Sequence, residues 1–258
     1  MIVRAIELAH RIDLLLRVNG HPDYPTALNG LQVDHRGPVR GIAAAVDVSQ
    51  RSIRGAVDAG ANFLLVHHGL FWGGAQPVVG STYARIRMLF ENDVAVYSAH
   101  LPLDSHPDFG NNILLAREFG LTPSGPFAMY QGTPIGIAGD SDMPTDAILS
   151  LADAFARRHD GRARASDIPS GHRTRRWAIC TGAGASTETL REAEAAHIDT
   201  LITGEGPHHT AVEAPERGIV VIYAGHYATE TLGVTALAER IASETDVPWS
   251  FVSAPTGL

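Results

Sequence analysis

The chain has 258 residues, 45% of them hydrophobic, and carries a formal charge of −8 in which every basic residue is an arginine. That length supplies core for one large domain or two compact ones. The acidic balance excludes a nucleic-acid or membrane-surface binder working through a basic patch. The absence of lysine excludes Schiff-base chemistry and a lysine-dependent phosphate loop.

Residues 1–17, broken by Arg4, Glu7, Arg11 and Asp13, read as an amphipathic helix rather than a signal peptide. No uncharged apolar stretch reaches the length of a membrane span, so the expected location is cytoplasmic. Apolar runs at 41–48, 62–66 and 94–98 read as buried strands, with helices at 52–59 and 83–91 between them. That alternation implies a parallel sheet covered by helices. A helix at 111–119 leads into a Pro/Gly-rich passage, 121–139, then a helix at 145–159 and an Arg-rich loop, 161–176. The alternation then returns, with strands at 177–180, 200–203 and 219–223, helices at 187–196 and 229–243, and a last strand at 249–252. The lone Cys180 ends the first of these strands and reads as a small core residue in a reducing compartment.

The two passages read as copies of one unit. VAVYSAHLPLD at 94–104 aligns without a gap on VVIYAGHYATE at 220–230, placing Tyr97 on Tyr223, His100 on His226 and Asp104 on Glu230. Upstream, FLLV followed by His67, His68 and Gly69 aligns on LIT followed by Gly204, Glu205 and Gly206. Internal duplication is the economical explanation. The expected fold is therefore α/β, with two similar halves and mainly parallel sheets flanked by helices. The first half spans 1–125, carries His67, His68 and Asp104, and is completed by 230–258. The second spans 126–229 and carries a Gly-rich turn and His226.

His67 and His68 should leave the carboxyl end of a strand, the sheet edge at which α/β proteins bind ligands. Adjacent residues leaving a strand point in opposite directions, so these two imidazoles suit two ions better than one. The bland alternative is a pair of loop histidines. His226 and Glu230 have i, i+4 spacing, which brings both to one centre if a helix starts by Gly225. His100 and Asp104 repeat the spacing, but Pro102 argues for a loop there. The donor set is too large for one ion and lacks the thiolates of structural zinc. Imidazole and carboxylate suit Zn, Fe, Mn, Ni or Co. Two ions sharing a water lower its pKa and make it a nucleophile at neutral pH.

At these residues the chain resembles the NIF-three-like family, also described as GTP cyclohydrolase I type 2-like or dinuclear metal-centre hexameric proteins. The likeness rests on NGLQV at 29–33, VHHGLFW at 66–72, HLPLD at 100–104 and GHYATE at 225–230, with DSHPDFGNN at 104–112 and CTGAG at 180–184. It implies two divalent ions per chain, His67 and Asp104 serving one, His68 and His226 the other, and Glu230 bridging. It also implies a ring-shaped homohexamer. His208 and His209 depart from the expected pattern and read as a solvated loop or as outer groups near the metals.

His100 is the catalytic candidate, as a proton shuttle, against the plainer role of a buried, satisfied histidine. Ser186 reads as a helix N-cap beside a Gly-rich turn that either holds phosphate or serves tight backbone packing. Arg173, Arg175 and Arg176 read as a solvated basic face, with phosphate binding as the alternative. The leading functional reading is a metal-dependent hydrolase of a small anionic or nucleotide-like substrate. The alternative is a non-catalytic metal-handling or regulatory scaffold protein.

Overall fold

The computed structural model describes residues 3–258; Met1 and Ile2, part of the expected first helix, lie outside the described residues. The chain runs α1 (Ala5–Leu16), β1 (Gly30–Val33), β2 (Ile42–Asp47), α2 (Gln50–Asp58), β3 (Phe63–His68), α3 (Gly80–Glu91), β4 (Ala95–Ser98) and α4 (Leu101–Asp104). It continues α5 (Asn111–Glu118), β5 (Pro123–Tyr130), β6 (Thr133–Pro144), α6 (Thr145–Arg157), β7 (Arg164–Ala165), β8 (Arg173–Cys180) and α7 (Thr187–Ala195). The last elements are β9 (Thr200–Thr203), α8 (His208–Glu216), β10 (Val220–Tyr223), α9 (His226–Thr229), α10 (Thr231–Thr245) and β11 (Trp249–Phe251). Two compact units result: the described residues up to Leu103 with Gly233–Ala254, and Asp104–Leu232 with Pro255–Leu258.

In the first unit the sheet order is β1-β4-β3-β2-β11. β11, β2, β3 and β4 run parallel and β1 closes the edge antiparallel. Ala43, Ala45, Leu64, Val66 and Val96 share one buried cluster with Ile53 and Ala56 of α2 and Leu89 of α3, so these helices cover that face. Strands buried on both sides need continuous apolar runs, which is why alternation is absent from their sequence. Ser49 caps α2, its hydroxyl accepting from the Ser52 amide at 3.1 Å while the Ser52 hydroxyl accepts from the Ser49 amide at 2.8 Å. Such a cap stabilises a helix by about 1 kcal/mol.

The second unit repeats the grammar. Its sheet order is β5-β6-β8-β9-β10-β7, with β8, β9 and β10 parallel and the outer pairings antiparallel. Side chains alternate between two cores: Trp177, Ile179, Ile202 and Ile222 join α5 and α6, while Ala178, Cys180, Leu201 and Val221 join α7 and α8. Ser186 caps α7 as Ser49 caps α2, with Thr189 as the reciprocal partner. This shared cap extends the duplication from the strands to the crossover helix.

The units meet earlier in the chain than residue 125. Leu115, Ala116, Phe119 and Leu121 pack with Trp177, Ile179 and Ile202, so the α5 passage belongs to the second core, and Asp104 with it. The Pro/Gly-rich passage is a β-hairpin. Gln131 at φ 47° and Gly132 at φ 84° form its tip between paired Tyr130 and Thr133, and two such positive φ values suit the right-handed twist of a hairpin. Residues 101–104 are a short helix, not a loop: Pro102 lies in the first turn, where a missing amide removes no bond.

Candidate metal centre

The tips of two neighbouring parallel strands, β3 and β4, carry the clustered imidazoles of the first unit. His67 and His68 are the last two residues of β3 rather than its successors, because pairing continues to Asp47 opposite His68. His67 is buried and donates from Nδ1 to the Ala99 carbonyl at 2.8 Å. The His68 Nδ1 lies 2.9 Å from Asp47 Oδ1. The two rings are thus anchored to opposite neighbours, the end of β4 and the end of β2, yet their centroids are 4.9 Å apart. His100, just beyond β4, sits 4.9 Å from His67 and 5.6 Å from His68, ring to ring. The three offer ligand atoms within 4.8 Å of one another. The expectation that His67 and His68 diverge therefore fails: strand alternation sets Cβ direction, and the side-chain torsions with their two anchors bring the rings back together.

The NGLQV motif holds this arrangement. Asn29 accepts from the His100 amide at 2.7 Å, and Gln32 accepts from the Leu70 amide at 2.7 Å. Gly69 leaves room for Gln32, whose amide nitrogen would lie 2.1 Å from an added Cβ. Tyr24 and Trp72 are partly exposed, and Trp72 meets the His100 ring edge-on at 4.6 Å. A cavity of about 440 Å³ in the same unit is lined by Pro25, Leu28, Leu70, Phe71, Val78 and Ile86.

In the second unit Gly225 precedes α9, and one helical turn brings His226 Nε2 to 3.1 Å from Glu230 Oε2. His226 Nδ1 lies 2.7 Å from Glu205 Oε1. Gly182, at φ 62°, admits the Glu230 carboxylate where a Cβ would stand 2.1 Å from Oε1. Asp104 is buried, and its Oδ1 accepts from Asn111 at 2.8 Å and from the Thr181 hydroxyl at 3.4 Å. Asn112 bonds the Asp104 carbonyl at 3.1 Å and the Thr181 amide at 2.9 Å, which accounts for the paired asparagines of the 104–112 motif.

Electrostatics sorts these groups. Burial disfavours a charged His226, but Glu230 and then Glu205 overrule it and push the imidazole up to about 9. Burial likewise opposes the Asp23 charge, yet hydrogen bonds from His100, Asn29 and Tyr24 hold the carboxyl below its usual value. Burial, reinforced by Asp104, Glu192 and Glu230, pushes the Cys180 thiol up to about 12, so it offers no thiolate.

A pH prediction follows for the metal-free chain. His226 gains stability from its carboxylate partners in full below 6.5, the ordinary imidazole value, and loses it as pH rises through about 9. A cation at Nε2 must expel that proton. Zinc affinity should therefore climb with pH up to about 9, with proton release measurable by calorimetry in buffers of different ionisation heat. Uptake that releases no proton near neutrality would contradict it.

Three carboxylates to which sequence reasoning gave no role, Asp23, Asp47 and Glu205, accept from the candidate imidazoles His100, His68 and His226. Glu205 carried a signal, since it aligns with His68. The other expectations divide. His208 and His209 are exposed in the first turn of a helix, α8, rather than in a loop, and His209 lies 3.3 Å from the Thr187 hydroxyl. Arg173 and Arg175 pair with Asp142, and Arg176 with Asp140, so this face is internally balanced. Among the described residues no helix is long and apolar enough to cross a membrane.

The sequence profile of Duf34/NIF3 (NGG1p interacting factor 3) matches residues 5–256. The protein called GTP cyclohydrolase 1 type 2 homolog in Halobacterium salinarum is 44% identical, with 98% of each chain covered. Its namesake in Deinococcus radiodurans is 41% identical, over 98% of this chain and 94% of that one. The solved structure of protein ybgI superposes with a TM-score of 0.88 at 33% identity, covering 99% of this chain and all of the other. Fold, motifs and these likenesses agree: the chain belongs to the Duf34/NIF3 family.

Proposed function

We propose that the chain holds two divalent ions with His67, His68, Asp104, His226 and Glu230, and is a metal-dependent hydrolase of a small anionic or nucleotide-like substrate. One observation carries the reading. Imidazoles at strand tips in both units have Nδ1 on a carbonyl or carboxylate oxygen, the arrangement that fixes the ring orientation of metal-ligating histidines. The donor chemistry fits: imidazoles and buried carboxylates without a thiolate suit Zn, Fe, Mn, Ni or Co.

His67 and Asp104 would serve one ion, His68 and His226 the other, and Glu230 both. When bound, such ions supply Lewis acidity and an acidified water. The residues around them supply orientation: Ala99, Asp47 and Glu205 fix ring angles, and Asn111 fixes Asp104. The exposed faces of Trp72 and Tyr24 suit a flat base better than an aliphatic chain. The name of the curated relatives makes GTP the first substrate to try. The ring-shaped homohexamer belongs to the same proposal and is read from the mass in solution.

The test is metal analysis of freshly purified protein, followed by a nucleotide and phosphoester panel on that preparation. We expect about two ions per chain and turnover that chelation abolishes. Two ions with no turnover of any panel member would favour the metal-handling scaffold instead. Fewer than one ion per chain after loading would sink both.

A further inference from the structure

His100 is the one imidazole of the first unit's cluster outside the five proposed ligands, and its environment is unusually determinate. Its side chain and that of Asp23 are 9% and 7% exposed, and His100 Nδ1 lies 2.8 Å from Asp23 Oδ1. Three further groups converge on the same carboxylate: the Tyr24 amide at 2.7 Å on Oδ1, and the Asn29 side-chain amide at 2.7 Å and the Leu101 amide at 3.0 Å on Oδ2. Amide nitrogens only donate. Two carboxylate oxygens that already face three donors have room for a fourth donor and none for a carboxylic proton. Asp23 is therefore ionised, and His100 must present Nδ1–H to it. The neutral ring then has its lone pair on Nε2.

Among the described residues the hydrogen bond of the His100 ring runs through Nδ1, and its ligand atom stands within 4.8 Å of those of His67 and His68. We propose that Asp23 is a positioning residue that locks His100 in the Nδ1–H tautomer and so makes it a further imidazole donor to the ion served by His67, the nearer of its two neighbouring rings. A donor role replaces the proton-shuttle role that sequence suggested for His100. A carboxylate behind an imidazole fixes its tautomer and raises its basicity as a ligand, and removing such a partner weakens metal binding by about 10–100-fold. The inference rests on the metal reading above, but the tautomer can be measured without metal or activity.

The experiment uses metal-free full-length protein labelled with ¹⁵N. Long-range proton–nitrogen correlations give the tautomer of each ring, and His100 is assigned by its loss in His100→Gln. A neutral Nδ1–H ring is expected, and an Nε2–H ring overturns the proposal. Zinc titrations follow. In Asp23→Asn one carbonyl oxygen must replace two carboxylate oxygens facing four donors. We expect His100 to leave the Nδ1–H form and one zinc to bind about 10–100-fold more weakly.

Should Asp23→Asn fail to fold, His100→Gln retains a side-chain N–H for Asp23 while deleting the ring lone pair. The same loss of affinity is expected, and wild-type zinc affinity in that folded variant overturns the proposal. Failure of the metal reading looks different: no zinc binds the wild type, whatever the His100 tautomer.

Discussion

Glu230→Ala should abolish zinc-dependent stabilisation while leaving the metal-free chain folded. Glu230 is 3% exposed, and its carboxylate faces the His226 imidazole 3.1 Å away. Placing a carboxylate there opposes burial, and in the metal-free chain its compensation is a protonated His226. Removing the carboxylate lets the imidazole lose that proton, so the variant sheds a charge pair instead of stranding one charge. As the proposed bridge, Glu230 affects both ions, and affinity should fall by well over about 100-fold, the upper reach of merely outer partners. A ligand at a thousand times its Kd stabilises a fold by about 4 kcal/mol, and this gain should vanish. Paired melts with and without zinc, and metal analysis, check it. Undiminished zinc stabilisation in Glu230→Ala would remove Glu230 from the centre.

Gly204→Ala should destabilise the second unit with a single added methyl. An added Cβ would stand 2.6 Å from the Gly182 carbonyl oxygen, 2.7 Å from the His226 Cα and 2.8 Å from the Thr229 hydroxyl. Two of the three are backbone atoms in different segments, so no rotamer change relieves the overlap. Overpacking of this kind costs about 1–3 kcal/mol and occasionally more. Here the displaced atoms belong to the loops bearing His226 and Glu230, so zinc affinity should fall together with the melting temperature. Gly125→Ala is the control: that Cβ meets nothing within 4 Å, and its effect should stay within about 0.5 kcal/mol. Equal melting temperatures for the two variants would show that the strand tip yields more easily than its packing implies.

Why was so much of this fold readable from one sequence? Parallel strands buried on both faces require uninterrupted apolar runs, and the duplicated order of strand and helix repeats that requirement twice. The candidate donors were readable because metal-ligating residue types are few in kind and these sit at matching strand tips. The relative direction of His67 and His68 was not, since it depends on Ala99 and Asp47, which lie in other strands. The hairpin at 123–144 was hidden because its strands carry Pro and Gly, and its signal is the two-residue tip at Gln131 and Gly132. Nor did local pattern reveal Asp23. Its importance lies in four donors, two of which stand more than 70 residues away in the chain, at His100 and Leu101.

Cys180 has a consequence for experiment. It is the chain's one thiol, closed within the core between β8 and α7 and opposite Thr203 on β9. Alkylating reagents act on thiolates they can reach, so in the native fold they must wait for this half of the chain to open. The rate of carboxymethylation is thus a clock for one half alone, and the other half can breathe without advancing it.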